Sequence, residues 1–215
     1  MDIIFLQFLL VVQFLTIIFL NLSKKNMSAA IAYSIQSTAV MIIIFNSFLE
    51  TNNIYLLLIV LLTLMVKVIL APFFFSKLIK KHTVVFSAST YLNTPLILVV
   101  IAGLTSMAHL DKFAPLTNIV PSHHALLALA LSSLLISLFL IINRKGALSQ
   151  IVGILSLENS IVAFVILAGL EQSPGLQAGI IFNIFIWILV ANIFMSMIYK
   201  HFGSNDVTSM KHLKD

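Results

Sequence analysis

Long apolar runs, each about as long as a bilayer is thick, dominate this sequence. About 20 consecutive apolar residues cross the hydrocarbon core as a helix, and the run Ile3–Leu22 contains no charged residue. Runs such as Ile54–Val66 are apolar on every side, whereas strands of a membrane barrel alternate apolar and polar residues. Only 9% of the residues are charged, against roughly 25% in average soluble domains. The chain is therefore predicted to be an all-α integral membrane bundle.

Seven such runs are predicted to be transmembrane helices. Their expected bounds are Ile3–Leu22, Met27–Leu49, Ile54–Phe75, Val84–Ala108, His123–Ile142, Gln150–Leu170 and Gly175–Tyr199. The first run is interpreted as a retained span, because Asp2 stands where a cleavable signal has positive charge. The predicted organisation is a four-helix region at 1–108, an external connector at 109–122, a three-helix unit at 123–200 and a cytoplasmic tail at 201–215.

The charges of the connectors predict the orientation. The connectors after the first, third and fifth runs and the C-terminal tail are basic, with Lys24, Lys25, Lys77, Lys80, Lys81, Arg144, Lys145, Lys200, Lys211 and Lys214. The second and sixth connectors have no basic residue, and the fourth balances Asp111 against Lys112. Because cytoplasmic loops are enriched in lysine and arginine, the N-terminus is predicted outside and the C-terminus in the cytoplasm. The net charge of +5 is therefore assigned to membrane loops and not to nucleic-acid binding.

Two charged residues, Lys67 and Glu158, lie inside predicted spans. A charge at a helix centre costs about 2.5–3.5 kcal/mol on insertion scales, so such residues usually pair, face a bundle interior or line a proton path. Glu158 lies near the middle of the sixth span, on an aliphatic face. Another face of this span has the small residues Gly153, Ser156, Ser160 and Ala163, which permit close helix contact. Glu158 is interpreted either as a proton-handling carboxyl or as a buried polar anchor pointing to another helix or subunit.

Lys67 also allows two interpretations. It lies five residues before Pro72, which lacks a backbone N–H and so frees the carbonyl of Val68. Lys67 is then either a buried charge partner for Glu158 or a side chain that snorkels to the cytoplasmic interface. Uncharged polar residues inside the spans are predicted to form mostly interhelical hydrogen bonds. They are Gln36, Ser37, Thr38, Asn93, Asn183 and Asn192, and Asn159, Gln36 and Asn183 are predicted to support the proton-path residues.

No active site or cofactor is predicted within this chain. It has no cysteine, so it offers no thiolate for zinc or for an iron–sulfur cluster. The histidines near the external connector, His109, His123 and His124, lack the H-E-x-x-H spacing, and no metal site is predicted from them. Phosphate-binding, dinucleotide-binding and nucleophile-elbow motifs are absent from the sequence.

The stretch Asn143–Gly169 resembles the central helix of the small K subunit of respiratory complex I. There a basic loop precedes a G-x-x-x-L-E pattern with an intramembrane glutamate, which Gly153, Leu157 and Glu158 match here. The matching small subunit of multisubunit sodium/proton antiporters is similar in outline. The last three predicted spans would correspond to that three-helix unit.

Over nearly its full length the chain resembles hydrogenase-4 component E, which has extra helices before such a unit. The resemblance rests on four stretches, which are Gln36-Ser37, Lys67–Pro72, Gln150–Asn159 and Phe202–Val207. Relatives tend to have a second intramembrane acid at the start of the last span. Asn183 aligns with that position and cannot titrate, which argues against a two-carboxylate relay within this subunit.

The resemblance implies a non-catalytic, multi-pass membrane-arm subunit of a hydrogenase-like or complex I-like assembly in a bacterial inner membrane. Its implied partners are antiporter-like and quinone-module-like membrane subunits and soluble hydrogenase-type subunits that hold nickel–iron and iron–sulfur centres. Proton or sodium translocation would be coupled to electron transfer, with Glu158 and Lys67 in the pathway. Two other functions stay open, a subunit of a cation/proton antiporter without redox chemistry and a structural membrane anchor.

The alternation of basic connectors generates a topology prediction. Reporter fusions after Lys25, Lys81, Lys145 and Lys214 should be cytoplasmic, and fusions near Asn52, Lys112 and Gln172 should be external. An alkaline phosphatase and green fluorescent protein pair would measure the side at each site. Two or more reversed sites would contradict the seven-span arrangement.

Overall fold

A computed structural model describes residues 3–52, 54–81, 89–168 and 196, and within these ranges the all-α prediction is confirmed. Its long helices are α1 (Ile3–Leu22), α2 (Asn26–Thr51), α3 (Ile54–Thr63), a π-helical segment (Leu64–Leu70), α4 (Ala71–Lys81), α5 (Thr94–Ala108), α7 (His124–Asn143) and α8 (Ala147–Leu167). Short turns of helix lie at Asp111–Phe113, Ala114–Thr117 (α6) and Pro121–His123. The predicted span Gly175–Tyr199 and tail 201–215 lie outside the described residues.

Five helices of the described chain are long and apolar enough to cross a membrane. They are Ile3–Leu22, Asn26–Glu50, Leu56–Lys77, Pro121–Asn143 and Leu148–Leu167. A sixth span would need the pair Thr94–Ala108 and Asp111–Thr117, which meet at an angle of 58°. The chain is thus a multi-pass helical membrane protein by length and composition, while the seventh span and the orientation stay predictions.

The fourth predicted span, Val84–Ala108, is wrong at its start where the structure describes it. Helix α5 begins at Thr94 and has 15 residues, which span about 22 Å against roughly 30 Å of hydrocarbon. The Asn93 side chain accepts a hydrogen bond from the Leu96 N–H and Pro95 lies in the first turn, so both residues favour a helix start at this point. Just before α5, Thr90 forms an isolated bridge with Arg144 and the Tyr91 N–H bonds to the Asn143 carbonyl, so this segment pairs with the end of α7.

Helix α2 is the centre of the described bundle. It packs against α1 and α8, and the rod formed by α3, the π-helical segment and α4 packs against another side of it. Helix α7 packs against both α1 and α8, and α5 lies against α7. The helices before and after the 109–122 connector therefore share one core.

A layer of buried polar residues lies between two of the three apolar clusters of the described core. Toward the basic connectors the apolar cluster includes Leu20, Tyr33, Phe75, Leu140 and Leu155. Toward the opposite end it includes Leu10, Val40, Ile59, Leu127 and Val162. Between them, in the middle of five helical rods, lie Gln13, Gln36, Ser37, Lys67, Ser133, Ser137, Ser156, Asn159 and Ser160, all buried. The arrangement places the polar atoms at mid-membrane depth, away from lipid.

The small-residue face of α8 packs closely on α7, as the sequence predicts. A Cβ atom added at Gly153 would lie 2.9 Å from Ile141 Cγ1 and 3.3 Å from the Ile141 backbone nitrogen. The Ser137 hydroxyl contacts the Ser156 and Ser160 hydroxyls across the same interface. This contact fixes the rotation of α8 and so the direction in which Glu158 points.

The Gly153 contact predicts a large effect of a small substitution. Gly153→Val should lower the free energy of unfolding by about 1–3 kcal/mol, because the valine methyl groups would press on the Ile141 backbone. Gly103→Val is the matched control, since nothing lies within 4 Å of a Cβ added there. Thermal unfolding in detergent would measure both variants, and equal stability of the two would contradict close packing at Gly153.

Candidate functional site

The two charged residues of the predicted spans meet inside the bundle. Lys67 Nζ lies 3.0 Å from Glu158 Oε1, and their side chains are 3% and 18% exposed. Snorkelling of Lys67 is therefore wrong, because a buried ammonium beside a carboxylate does not reach the interface. The interpretation of Lys67 as the charge partner of Glu158 agrees with this distance. An ion pair at this depth neutralises two charges that would each be strongly unfavourable alone.

Asn159 connects the ion pair to α2. Lys67 Nζ donates to Asn159 Oδ1 at 3.1 Å, and Asn159 Nδ2 donates to the Ser37 hydroxyl at 2.9 Å. These two bonds fix the orientation of the Asn159 amide and use both of its ends. Three rods, the π-helical segment, α8 and α2, are thereby joined by one chain of polar contacts.

A second set of hydrogen bonds extends the polar layer toward α7. Gln36 Nε2 donates to the Ser156 carbonyl at 3.3 Å, and the Ser137 hydroxyl lies 3.3 Å from that of Ser156 and 3.1 Å from that of Ser160. Together with the Asn159 contacts, these bonds run laterally across the bundle. The interhelical roles predicted for Gln36 and Ser37 are thus confirmed.

Lys67 lies in the middle of the π-helical segment Leu64–Leu70. The Ala71 N–H bonds to the Val66 carbonyl, five residues earlier, and Pro72 then offers no N–H at all. The Val68 carbonyl, which Pro72 leaves without its helical donor, accepts from the Ser34 hydroxyl at 3.3 Å. Such π-helical turns are rare and often mark functional sites. The widened turn coincides with the residue that supplies the cation.

Several polar atoms around the pair have no well-formed hydrogen bond within the described chain. They are Glu158 Oε1, which has only the ion pair, and Tyr33 Oη, Gln36 Oε1 and both amide atoms of Gln13. Buried polar groups normally have partners, because each unpaired one costs about 1–3 kcal/mol. The site therefore combines a compensated charge pair with spare acceptors and donors at the same depth. The arrangement offers a titratable carboxyl, a cation that stabilises its charged form and further polar atoms, and the chain has no cysteine with which to bind a redox centre.

The other polar residues that are predicted to lie inside spans are not part of this hydrogen-bonded layer or lie outside the described residues. Thr38 donates to the Ser34 carbonyl of its own helix and is thus an exception to the mostly interhelical bonding predicted for this set. Asn93 is the N-cap of α5 and is not inside a span. Asn183 and Asn192 lie outside the described residues. Among the described residues no group of three or more His, Cys, Asp or Glu side chains is placed to hold a metal ion.

Arg144, which the sequence presents as a loop charge, is a buried residue of the fold. Its guanidinium donates to the Leu20 carbonyl, to the Asn21 carbonyl at 3.3 Å and to the Ser23 carbonyl at 2.9 Å, at the end of α1. Burial lowers the pKa of Arg144 to about 10, which keeps it charged at neutral pH. Cations favour helix C-termini, but sequence alone does not say which helix end a loop arginine meets.

Comparisons of the chain with protein-family models, with curated proteins and with solved structures find no match. The site therefore rests on its own geometry.

The ion pair predicts a strong coupling between two substitutions. Lys67→Met leaves the Glu158 carboxylate buried without its cation and should cost about 3–5 kcal/mol of stability or prevent assembly. Lys67→Arg keeps the charge and should be less harmful. The double variant Lys67→Met/Glu158→Gln removes both charges and should recover most of the loss. The free energy of unfolding in detergent and the yield of folded protein, measured for both single variants and the double variant, would give the coupling between the two residues.

Lys112→Met is the matched control, because it makes the same chemical change at an exposed residue. It should leave stability nearly unchanged. Additive losses in the double variant would show that Lys67 and Glu158 do not interact in the membrane.

Proposed function

We propose that this chain is a non-catalytic membrane subunit of a redox-driven, ion-translocating complex of the hydrogenase-4 or complex I type. In it, Glu158 and Lys67 form a protonatable station within the membrane. The observation that supports this proposal most is the ion pair at 3.0 Å in the middle of a buried polar layer. The complex would lie in a bacterial inner membrane, with the N-terminus of this chain outside.

The energetics of the pair support a role beyond packing. A purely structural contact between α8 and the π-helical segment could be made by apolar side chains, which are often as stabilising as a buried ion pair or more so. Intramembrane charges generally persist where a function needs them. Glu158 and Lys67 stand in a row of further polar side chains, including Asn159 and Gln36, that crosses the bundle. A lateral row of this kind suits proton transfer between subunits that lie side by side in a membrane.

The pair gives a simple coupling device. While the Lys67 ammonium lies beside it, the Glu158 carboxylate is stabilised in its charged form. If a partner subunit draws Lys67 away or presents another charge, the carboxylate takes up a proton, because an isolated charge in apolar surroundings is unfavourable. A distant redox event can move protons in this way only by changing the position or charge of a neighbour of Glu158. Glu158 is 18% exposed, so a neighbouring subunit can approach it.

The redox chemistry belongs to partner subunits in this proposal. The chain has no cysteine, and iron–sulfur clusters are normally held by cysteine thiolates. The nickel–iron and iron–sulfur centres would lie in soluble hydrogenase-type subunits, joined through antiporter-like and quinone-module-like membrane subunits. Identifying the proteins that copurify with this chain tests this assignment. Nickel–iron subunits would support it, and antiporter subunits alone would favour ion exchange without redox chemistry.

A structural anchor is the second candidate function, and one observation favours it. The Lys67–Asn159–Ser37 chain satisfies both ends of the Asn159 amide and joins three helical rods. In a structural anchor, the polar layer would fix the positions of the helices relative to one another and would move no proton.

Glu158→Gln separates the two functions. The amide keeps the shape of the side chain and most of its hydrogen bonding but removes the titrating proton, so we expect normal assembly and at least about a hundredfold slower ion translocation, the low end for loss of a proton-transfer group. Electron transfer should fall less, unless coupling is obligatory. Fluorescence quenching in inverted membrane vesicles would measure translocation, and reduction of an artificial acceptor would measure electron transfer.

Asp111→Asn makes the same acid-to-amide change at an exposed residue of the connector and should alter neither rate. Failure of Glu158→Gln to assemble would support the anchor. An intact Glu158→Gln complex with unchanged translocation would show that this residue is not in the ion path.

A further inference from the structure

A cavity of about 180 Å³ with a partly polar lining lies at the end of the bundle that is predicted to be external. The first turn of α1, the last turns of α2 and the end of α8 enclose it. Its polar lining consists of Asn46, Ser47, Glu50 and His123, and apolar residues such as Ile43 and Leu167 form its floor. Asn46 Nδ2 donates to Glu50 Oε1 at 3.1 Å, which holds the carboxylate at the mouth.

The cavity favours a cation. Glu50 supplies a carboxylate, and the C-terminal ends of α2 and α8 both lie at this end of the bundle, where their carbonyl groups add partial negative charge. His123 Nδ1 lies 3.4 Å from the Leu167 carbonyl, which places its ring against the end of α8. Oxygen ligands that include a carboxylate suit a proton or a sodium ion.

The cavity and Glu158 both adjoin α8 and are separated by apolar side chains. Leu167 in the cavity wall and Glu158 are nine residues apart on α8, about 13 Å along the helix. Ile43 in the cavity lining and Val162 on α8 belong to the apolar cluster of this end, each 1% exposed. An access site and a buried station separated by apolar side chains form the two sides of a closed gate.

From this geometry we infer that the Asn46–Glu50–His123 cavity is the external access site for the transported cation, which exchanges with Glu158 across the Ile43–Val162 layer. This inference rests on the proposed function and adds to it the side from which the ion enters or leaves. Glu50 collects the cation at the mouth, and Ser47 and Asn46 offer it oxygen ligands on the inner side.

Cysteine labelling tests the cavity directly, because the chain has no native cysteine. Ser47→Cys in the full complex should react from outside with a membrane-impermeant cationic methanethiosulfonate faster than with an anionic one, by a ratio at least about tenfold larger than for a free thiol in solution, because a nearby carboxylate adds its attraction to that of the thiolate. Glu50→Gln in the same background should remove most of that excess. Phe45→Cys, on the lipid-exposed side of the same helix, should react slowly with both reagents. Asn46→Cys provides a second cavity position should Ser47→Cys fold poorly.

The labelled complex then tests the role in transport. Modification of Ser47→Cys should reduce ion translocation at least about a hundredfold, as loss of the station itself does, and assays with and without sodium ions identify the cation. Reaction only from the cytoplasmic side, or no charge preference beyond that of a free thiol, would overturn the access site. Unchanged translocation after labelling, in a complex that Glu158→Gln does inactivate, would also overturn it and leave the proposed function standing. If Glu158→Gln has no effect on translocation, the proposed function fails and the access role fails with it.

Discussion

An ammonium and a carboxylate can share the interior of a lipid-embedded bundle only while each neutralises the other. Lys67 and Glu158 meet this condition at 3.0 Å, and the helices around them are arranged so that the condition holds. Asn159 Oδ1 accepts a further hydrogen bond from the ammonium, and the Asn159 amide nitrogen in turn donates to the Ser37 hydroxyl. Because lipid offers no hydrogen bonds, the remaining polar side chains also gather at this depth and face inward. The polar layer is thus a consequence of keeping two charges where apolar residues would otherwise lie.

The position of the pair depends on contacts that involve no charge. Gly153 allows α8 to lie against the Ile141 backbone on α7, which turns the opposite side of α8 toward the π-helical segment. Lys67 lies in the wide turn of that segment, five residues before Pro72, which has no N–H. A change in either helix contact would separate the charges, since the ion pair joins rods that are otherwise joined mainly through α2.

Sequence patterns predict some of these features and leave others out, for physical reasons. The bounds of α1 match the prediction because an uninterrupted apolar run has few alternative ends. Lys67 and Glu158 are identifiable since charges are rare and costly in spans, but their pairing needs the three-dimensional arrangement of two helices 91 positions apart. The fourth span begins late because Asn93 and Pro95 start a helix there, which hydropathy does not register. The π-helical segment has no simple sequence signal apart from the proline that follows it.

The Arg144 contacts have a consequence for how the chain is made. The carbonyls at the end of α1 are bound by a side chain that lies 121 to 124 residues later in the sequence. During synthesis α1 enters the bilayer long before that side chain leaves the ribosome, so its last carbonyls must first bond to water or to lipid head groups. The guanidinium displaces these partners only after α7 has been inserted. Closure of the bundle is therefore a late, non-local step in its biogenesis, and its slowest stage is expected to follow insertion.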